Sequence, residues 1–185
     1  MPPSILWRRL DRPGHEACRL EEAPGGWRVL GSSVFGGVGG PCRLDYSIVT
    51  DAAWRTVSAR VEGWAGEKSV AIEIAADASG RWSMNGVPQP AVDGCVDVDL
   101  HFSPSTNLLP TRRLALPVGQ EAAVRAAWLR FPGFMLEPLE QTYRRTAERG
   151  YRYTSAGGEF VVDLEVDGDG LVTRYPGFFE AEGRG

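Results

Sequence analysis

Residues 95–116 read CVDVDLHFSPSTNLLPTRRLAL, and the predicted fold is built outward from this stretch. From Cys95 to Phe102 polar and apolar residues alternate, which predicts a strand with one apolar face in the core and one polar face. Turn-forming residues follow, and Pro110 is expected to end the loop. The run Thr111 to Leu116 is then predicted to be a second strand.

Two adjacent arginines lie in this second predicted strand. Neighbouring strand residues point to opposite faces, so either Arg112 or Arg113 must share a face with the leucines. A buried guanidinium needs a partner for its charge. The nearest carboxylates in the sequence belong to Asp97 and Asp99, so we expect a close structural ion pair between one of the arginines and one of the aspartates.

The same stretch carries a resemblance to a known family. Asp97 to Leu100 followed by Thr106 to Leu114 resembles the central signature of the family named "Putative glycolipid-binding". Leu108, Thr111 and His101 differ from the residues usual at those places. Other positions that look like family positions are Trp54, the group Trp128 to Pro132, Gln141 to Tyr143 and Gly170 to Tyr175.

The resemblance covers the chain from about Trp7 to Pro176. It implies an antiparallel β architecture similar to the half-open barrels of bacterial lipoprotein carriers. It also implies a lipid or glycolipid as the bound small molecule. We therefore expect an all-β, mainly antiparallel fold, either a curved sheet or a half-open barrel, with one main helix packed on it.

A repeated pattern predicts how this sheet is organised. Ser69 to Gly80 aligns with Glu159 to Gly170 in its apolar phase and in its Asp-x-x-Gly turn. We interpret this as an internal duplication of two meanders, residues 42–86 and 136–177, within one domain spanning residues 1–185. The alternative is that the two segments are unrelated, because any two β-hairpins share an alternation of apolar and polar residues and a glycine-bearing turn.

Three shorter segments complete the prediction. Ile5 to Leu10 and His15 to Glu22 are predicted to form an opening hairpin. Gly36 to Pro41 is rich in glycine and is predicted to be an irregular loop. Gln120 to Arg130 combines strong helix formers with apolar residues at helical spacing, which predicts an amphipathic helix between the two repeats. That helix is expected either to cover the open side of the sheet or simply to pack against its core.

Composition limits the class of partner. The 185 residues include 24 acidic and 20 basic residues, a net charge of −4, which argues against nucleic acid or an anionic membrane surface as the main partner. No apolar stretch reaches the length of a transmembrane helix or of a signal-peptide core. Three cysteines without CxxC spacing indicate neither a disulfide framework nor a zinc site. We expect a cytoplasmic protein without a metal or cofactor.

Aromatic residues are plentiful and suggest a ligand cavity. In a curved sheet they are expected to line an apolar pocket of about 300 to 1,000 Å³ that accepts an acyl chain beside the predicted helix, with polar groups at its mouth. The aromatic residues expected there are Trp54, Trp64, Trp82, Trp128, Tyr143 and Phe160. The predicted ligand-binding residues are Asn107, Arg112, Arg113, Trp54, Trp128 and Tyr143. The alternative is that the aromatic side chains only pack the core.

Three functions fit these observations. The first, which follows the resemblance, is non-catalytic binding of a lipid or glycolipid. The second is an enzyme acting on a lipid-like or sugar ligand through Asp97, Asp99 and His101. The third is a scaffold that binds another protein through a sheet edge or an apolar mouth. Because no nucleophile motif is present, we assign no catalytic residue and favour the first. The same three side chains could also ligate a metal, but a solvated or arginine-paired face is favoured.

Overall fold

The computed structural model describes residues 2–37 and 39–185, which form one curved sheet of 15 strands. The strands are β1 (Ser4–Arg9), β2 (Gly14–Ala23), β3 (Gly26–Gly37), β4 (Gly40–Asp51), β5 (Thr56–Ala65), β6 (Lys68–Ala76), β7 (Trp82–Met84), β8 (Val87–Pro88), β9 (Asp97–Leu100), β10 (Glu121–Arg130), β11 (Met135–Ala147), β12 (Gly150–Ser155), β13 (Phe160–Val166), β14 (Val172–Tyr175) and β15 (Phe179–Arg184). The α-helix among the described residues is α1 (Leu108–Leu114), and short 3-10 turns span Pro90–Val92, Pro104–Asn107 and Ala156–Gly158.

Strand order follows chain order almost everywhere. The sheet runs from β8 back to β1, continues into β15, and then runs from β14 back to β9. The pairing of β1 with β15 therefore joins the two halves of the chain. Only β9 runs parallel to its neighbour, β10, among the described pairs. The predicted all-β, mainly antiparallel, curved sheet is confirmed, and so is the opening hairpin, which β1 and β2 form.

The sheet curls until one edge meets an inner strand. The backbone N–H of Thr56 donates to the carbonyl of Val96 at 3.1 Å, and the N–H of Val98 donates to the Thr56 hydroxyl at 3.0 Å. These bonds hold the β9 edge against the start of β5. A sheet edge that would otherwise expose unpaired backbone groups is thereby partly covered.

Buried apolar side chains form two neighbouring clusters. The larger one includes Trp7 and Trp82, whose indole N–H groups donate to the carbonyls of Val172 at 2.5 Å and Cys95 at 3.0 Å. The smaller one is built around Tyr143 and lies under β11 to β14. Alternation along each strand sends one set of side chains into these clusters, as expected for an antiparallel sheet with one covered face.

The predicted helix over Gln120 to Arg130 is wrong, because Glu121–Arg130 is strand β10. The strand pairs with β11 along its whole length and with β9 on its other side. Ala126 and Ala127 are adjacent and both buried, so this inner strand is covered on both faces at this point. Backbone pairing on two sides outweighs the weak helical preference of the alanines.

The helix lies instead at Leu108–Leu114, where the end of a loop and most of the strand Thr111 to Leu116 were predicted. Pro110 falls in its first turn, where a backbone N–H has no helical partner, so proline is tolerated there rather than breaking the structure. Leu108 and Leu109 are fully buried and anchor the helix. Ala115, with a positive φ of 44°, ends it in the left-handed conformation.

Two smaller predictions also need correction. The strand predicted from Cys95 to Phe102 is limited to β9, and Asp97 on its predicted polar face is buried and paired with Arg113, whereas Asp99 is partly exposed. The irregular loop predicted over Gly36 to Pro41 is mostly strand, since β3 ends at Gly37 and β4 begins at Gly40. Val38 lies outside the described residues. The proposed repeats 42–86 and 136–177 each cover four consecutive strands, and their common origin stays a prediction.

Candidate functional site

A cavity of about 360 Å³ lies where β1 and β15 approach strands β9 to β14. Each of these eight strands contributes at least one lining side chain. The lining residues are Arg9, Asp11, Arg12, Asp99, His101, Ser103, Asn107, Trp128, Leu139, Tyr153, Ser155, Ala156, Phe160, Tyr175, Phe178 and Phe179. The volume is within the predicted range, although the wall predicted to be a helix is strand β10.

One wall of the cavity is aromatic. Phe160 lies 5.9 Å from Tyr153 and 5.6 Å from Phe178 between ring centroids, and Tyr175 lies 5.1 Å from Phe178. These rings meet edge to face, the arrangement that the charge distribution of aromatic rings favours. Strands β12 to β15 thus present a continuous apolar surface to the cavity.

A partly buried carboxylate lies among the polar lining residues. Asp99 Oδ2 accepts a hydrogen bond of 2.7 Å from the Gln141 amide, which also donates to the Tyr153 hydroxyl at 3.0 Å. Burial raises the pKa of Asp99 to about 6; the negative charge of Asp97 acts in the same direction, and the bond from Gln141 opposes it. Within the described part of the chain, no arginine or lysine pairs with Asp99.

His101 and Trp128 stack at the exposed end of the cavity. Their rings lie 5.1 Å apart and 9° from parallel, and the Arg130 guanidinium lies 5.5 Å from the Trp128 ring. Partial burial against this stack lowers the pKa of His101, and the positive charges of Arg9, Arg12 and Arg130 lower it further. His101 is therefore neutral at neutral pH and behaves as an aromatic surface.

Two arginines on the β1 side of the cavity bind the same aspartate. Arg9 donates to both carboxylate oxygens of Asp11, at 3.0 and 3.1 Å, and Arg12 donates to the same group at 2.7 Å. Burial acts to raise the pKa of Asp11, but these arginine bonds outweigh it and lower the pKa. The Arg9 guanidinium also lies 4.5 and 4.7 Å from the rings of Phe35 and Phe179. The cationic groups are thus occupied by protein partners.

Asn107 and Ser103 are held in place by buried partners. The Tyr143 hydroxyl donates to Asn107 Oδ1 at 2.9 Å, and the Asn107 amide donates to the Pro104 carbonyl at 3.0 Å. Ser103 donates to Glu16 and lies 2.7 Å from the Ser105 hydroxyl. Both polar groups reach the cavity from the turn that leads into α1.

The predicted site residues fall into two places. Asn107 and Trp128 line the cavity, and Tyr143 lies behind Asn107. Arg112 and Trp54 lie together elsewhere, with the guanidinium 5.6 Å from the Trp54 ring.

Arg113 also lies away from the cavity, where it forms an ion pair with Asp97. One of the expected arginine–aspartate pairs is thus present, whereas Asp99 is bonded to Gln141 instead.

The sequence did not indicate Gln141 as the partner of Asp99. Of the aromatic wall it predicted Phe160 but not Tyr153, Tyr175 or Phe178. The run Tyr175 to Phe179 holds three aromatic residues around a glycine-bearing turn, and that clustering was the available signal. The contact of this run with β12 and β13 depends on strand pairings across the sheet, which sequence patterns do not show.

A wider depression of about 800 Å³ crosses β1 to β4 and β15. It is a shallow trough, and two of its charged side chains are tied to neighbours, with Arg19 paired to Glu21 and Asp45 to Arg43 at 2.6 Å. It encloses a ligand poorly. The cavity beside Asp99 is therefore the candidate site.

Two further properties concern the described residues alone. No three His, Cys, Asp or Glu side chains in residues 2–37 and 39–185 are grouped as a metal site would need. Within the same ranges, none of the helices has the length and apolar character that crossing a bilayer requires.

Comparison with known proteins agrees with this architecture. The model of the family described as "Putative glycolipid-binding" matches residues 4–181. A crystal structure of a DUF1089 family protein from Pseudomonas aeruginosa is similar, with 34% sequence identity, a TM-score of 0.81 and coverage of 89% of this chain and 90% of that one. No curated protein matches this chain. Because the family match extends over nearly the whole sheet and the cavity that it encloses, the chain belongs to the family described as "Putative glycolipid-binding".

Proposed function

We propose that this protein binds a lipid or glycolipid, without catalysis, in the cavity beside Asp99. The observation that carries the proposal is the composition of that cavity, in which an aromatic wall faces a polar side formed by Asp99, Ser103 and Asn107. Ligand sites typically combine a mostly apolar lining with a few fixed polar groups. An amphiphilic ligand has both of the surfaces that such a lining complements, and the family name agrees with this ligand class.

The alternative of an enzyme has less support. The side chains suggested for it were Asp97, Asp99 and His101, but Asp97 is engaged by Arg113 and its side chain is only 2% exposed. His101 is covered on one face by Trp128. A general acid or base must reach the reacting group, whereas Asp97 is held by Arg113 and His101 is covered by Trp128.

We also propose that the protein works in a reducing compartment such as the cytoplasm. Its three cysteines, Cys18, Cys42 and Cys95, are all buried and unpaired. Burial raises the pKa of Cys18 to about 12 and that of Cys95 to about 11, which keeps both thiols protonated and unreactive. Free thiols of this kind are typical of proteins that are not exposed to oxidising surroundings.

Native mass spectrometry of protein purified from its own host tests ligand binding. We expect a retained ligand of lipid or glycolipid mass. A Phe160→Ala, Tyr175→Ala double variant should lose it, because both partly exposed rings form the cavity wall. The matched control is Trp64→Ala, which removes an aromatic side chain that is 40% exposed and lies away from the cavity. Equal ligand occupancy in both variants, or none in the wild type, would contradict the proposal.

A further inference from the structure

A glycolipid has a sugar end and an acyl end, and the lining of the cavity distinguishes them. Resting on the proposed function, we propose that the cavity holds an uncharged sugar head group, with a hydroxyl donating to Asp99 and the acyl chain directed out past Trp128. The cavity is therefore a sugar site rather than an acyl-chain tunnel.

The first argument is the hydrogen-bonding state of Asp99. This carboxylate lines the cavity and accepts from Gln141 through Oδ2, and no described group donates to Oδ1. Placing hydrocarbon against a carboxylate would remove its water without a replacement, which is strongly unfavourable. A hydroxyl group supplies the missing donor, and a hydrogen bond to a charged acceptor is stronger than one between neutral groups.

The second argument is the distribution of the remaining polar groups. Ser103 and Asn107 come from the same turn, and both are fixed by buried partners, Glu16 and Tyr143. Ser103 Oγ is engaged by Glu16 and Ser105, whereas the Asn107 amide has a second N–H for which the described residues offer no acceptor. An acyl chain would leave that donor unpaired. A sugar ring carries several hydroxyls at fixed spacing, so one hydroxyl can accept from Asn107 while another donates to Asp99.

The third argument concerns the aromatic wall. Phe160, Tyr175 and Phe178 form an edge-to-face cluster beside the carboxylate. A pyranose ring has C–H groups on its faces and hydroxyls on its rim, so it packs on aromatic rings while its rim reaches polar groups. At about 360 Å³ the cavity is near the lower limit of ordinary ligand sites, which suits a compact ring.

The fourth argument is charge. Arg9 and Arg12 share the carboxylate of Asp11, and the carboxylate of Asp99 balances the positive charge that remains, so the charged lining residues together carry no net charge. Asp99 has no cationic partner among the described residues and would repel an anion. An uncharged sugar is therefore preferred over an anionic head group.

Calorimetry with short soluble probes tests this orientation. The probes are the methyl pyranosides of glucose, galactose and mannose, the corresponding dodecyl glycosides below their micelle concentration, and dodecanoate. We expect at least one methyl pyranoside to bind and to displace its dodecyl glycoside. Asp99→Asn should weaken that binding about tenfold or more, because it removes the charge of the acceptor. The matched control, Asp163→Asn, changes an exposed carboxylate on β13 and should leave binding unchanged.

The outcomes separate this inference from the proposed function. If dodecanoate or a dodecyl glycoside binds while every methyl pyranoside fails at millimolar concentration, the chain occupies the cavity and the inference is overturned, although lipid binding stands. If nothing binds and no ligand is retained from the host, the proposed function fails as well. Should Asp99→Asn not fold, Phe160→Ala tests the same sugar contact and is expected to weaken methyl pyranoside binding. Unchanged binding in that variant counts against the inference.

Discussion

Arg113 reaches from the end of α1 to the Asp97 carboxylate on β9, with Arg113 Nε 3.1 Å from Asp97 Oδ1. The aspartate side chain is 2% exposed and the arginine side chain 17% exposed. This contact fastens the helix to the edge of the sheet. Burial makes the pair more than a surface salt bridge, since loss of one partner leaves an uncompensated charge.

We therefore expect Arg113→Ala to lower the free energy of unfolding by about 3 to 5 kcal/mol. Urea denaturation followed by circular dichroism measures the change. The matched control is Arg152→Ala, which breaks an exposed pair with Asp163 and should lose about 0 to 1 kcal/mol. Equal and small losses at both sites would show that the Arg113 pair does not hold the helix.

Asp99 should make stability depend on pH. Burial raises its pKa to about 6 in the folded state, so the folded protein holds this proton more tightly than the unfolded chain does. Its contribution is therefore fully present below pH about 4 and is lost as pH rises through about 6. Other groups that act on Asp99 or titrate beside it are Asp97, Tyr143, Tyr153, Tyr175 and His101.

Asp99→Asn isolates this contribution from the others. The amide stays uncharged at every pH, so the variant should be more stable than wild type at pH 8 by about 1 to 3 kcal/mol and nearly equal at pH 4. Urea titrations at the two pH values measure both differences. A variant that is less stable than wild type at pH 8 would show that the negative charge of Asp99 is well compensated.

Glu16 is a second carboxyl group whose pKa is raised in the folded protein, as that of Asp99 is. Burial raises its pKa to about 7, while hydrogen bonds from Ser103 and Tyr46 act to lower it. Glu16 Oε2 and the Ser33 hydroxyl both lack a hydrogen-bond partner among the described residues. An amide in place of the carboxyl removes the buried charge and offers an N–H donor on the side where Oε2 lies.

We accordingly expect Glu16→Gln to raise stability at pH 9 by about 1 to 3 kcal/mol and to change it little at pH 5. Thermal unfolding at both pH values gives the comparison. Glu62→Gln is the control, because that carboxyl is 51% exposed and pairs with Arg60 at the surface. A gain of the same size at pH 5 and pH 9 would mean that charge burial is not the cause.

The strands were largely predictable, whereas the helix and the cavity were not. Along β6, Val70, Ile72 and Ile74 are buried and the residues between them are exposed, and this period of two is visible in the sequence. The helix Leu108–Leu114 has seven residues and a proline, so its local signal is weaker than that of Gln120 to Arg130. The latter forms a strand because of partners that are distant in sequence.

The candidate site was likewise predictable from the sequence only in part. Trp128 and Asn107 were identified from the sequence as candidate ligand contacts, and both line the cavity. The different environments of Asp97 and Asp99 were not predictable, since the two residues look equivalent in an alternating strand. Arg113 on α1 approaches one, and Gln141 on β11 approaches the other. Both partners are distant in sequence from the aspartates, so contacts across the fold decide which partner each aspartate meets.

Gly31 should be intolerant of any side chain. A Cβ atom built there would lie 2.2 Å from Cζ of the Tyr46 ring, which packs directly over the glycine. Gly31→Ala is expected to cost about 1 to 3 kcal/mol, because the ring must move. Gly36→Ala is the control on the same strand, where the nearest atom would be 3.8 Å away. Comparable urea midpoints for the two variants would contradict the packing of Tyr46 over Gly31.

Trp128 should report ligand entry by its fluorescence. The indole lines the cavity and stacks on His101, so a ligand that fills the cavity changes its surroundings directly. We expect a dodecyl glycoside to alter the emission of the wild-type protein and of Trp64→Phe, whose changed residue lies elsewhere. Trp128→Phe keeps an aromatic ring at the cavity, so it should still bind in calorimetry while losing most of the emission change. If Trp128→Phe retains the full emission change, the ligand occupies another part of the molecule and the assignment of the cavity as the binding site is wrong.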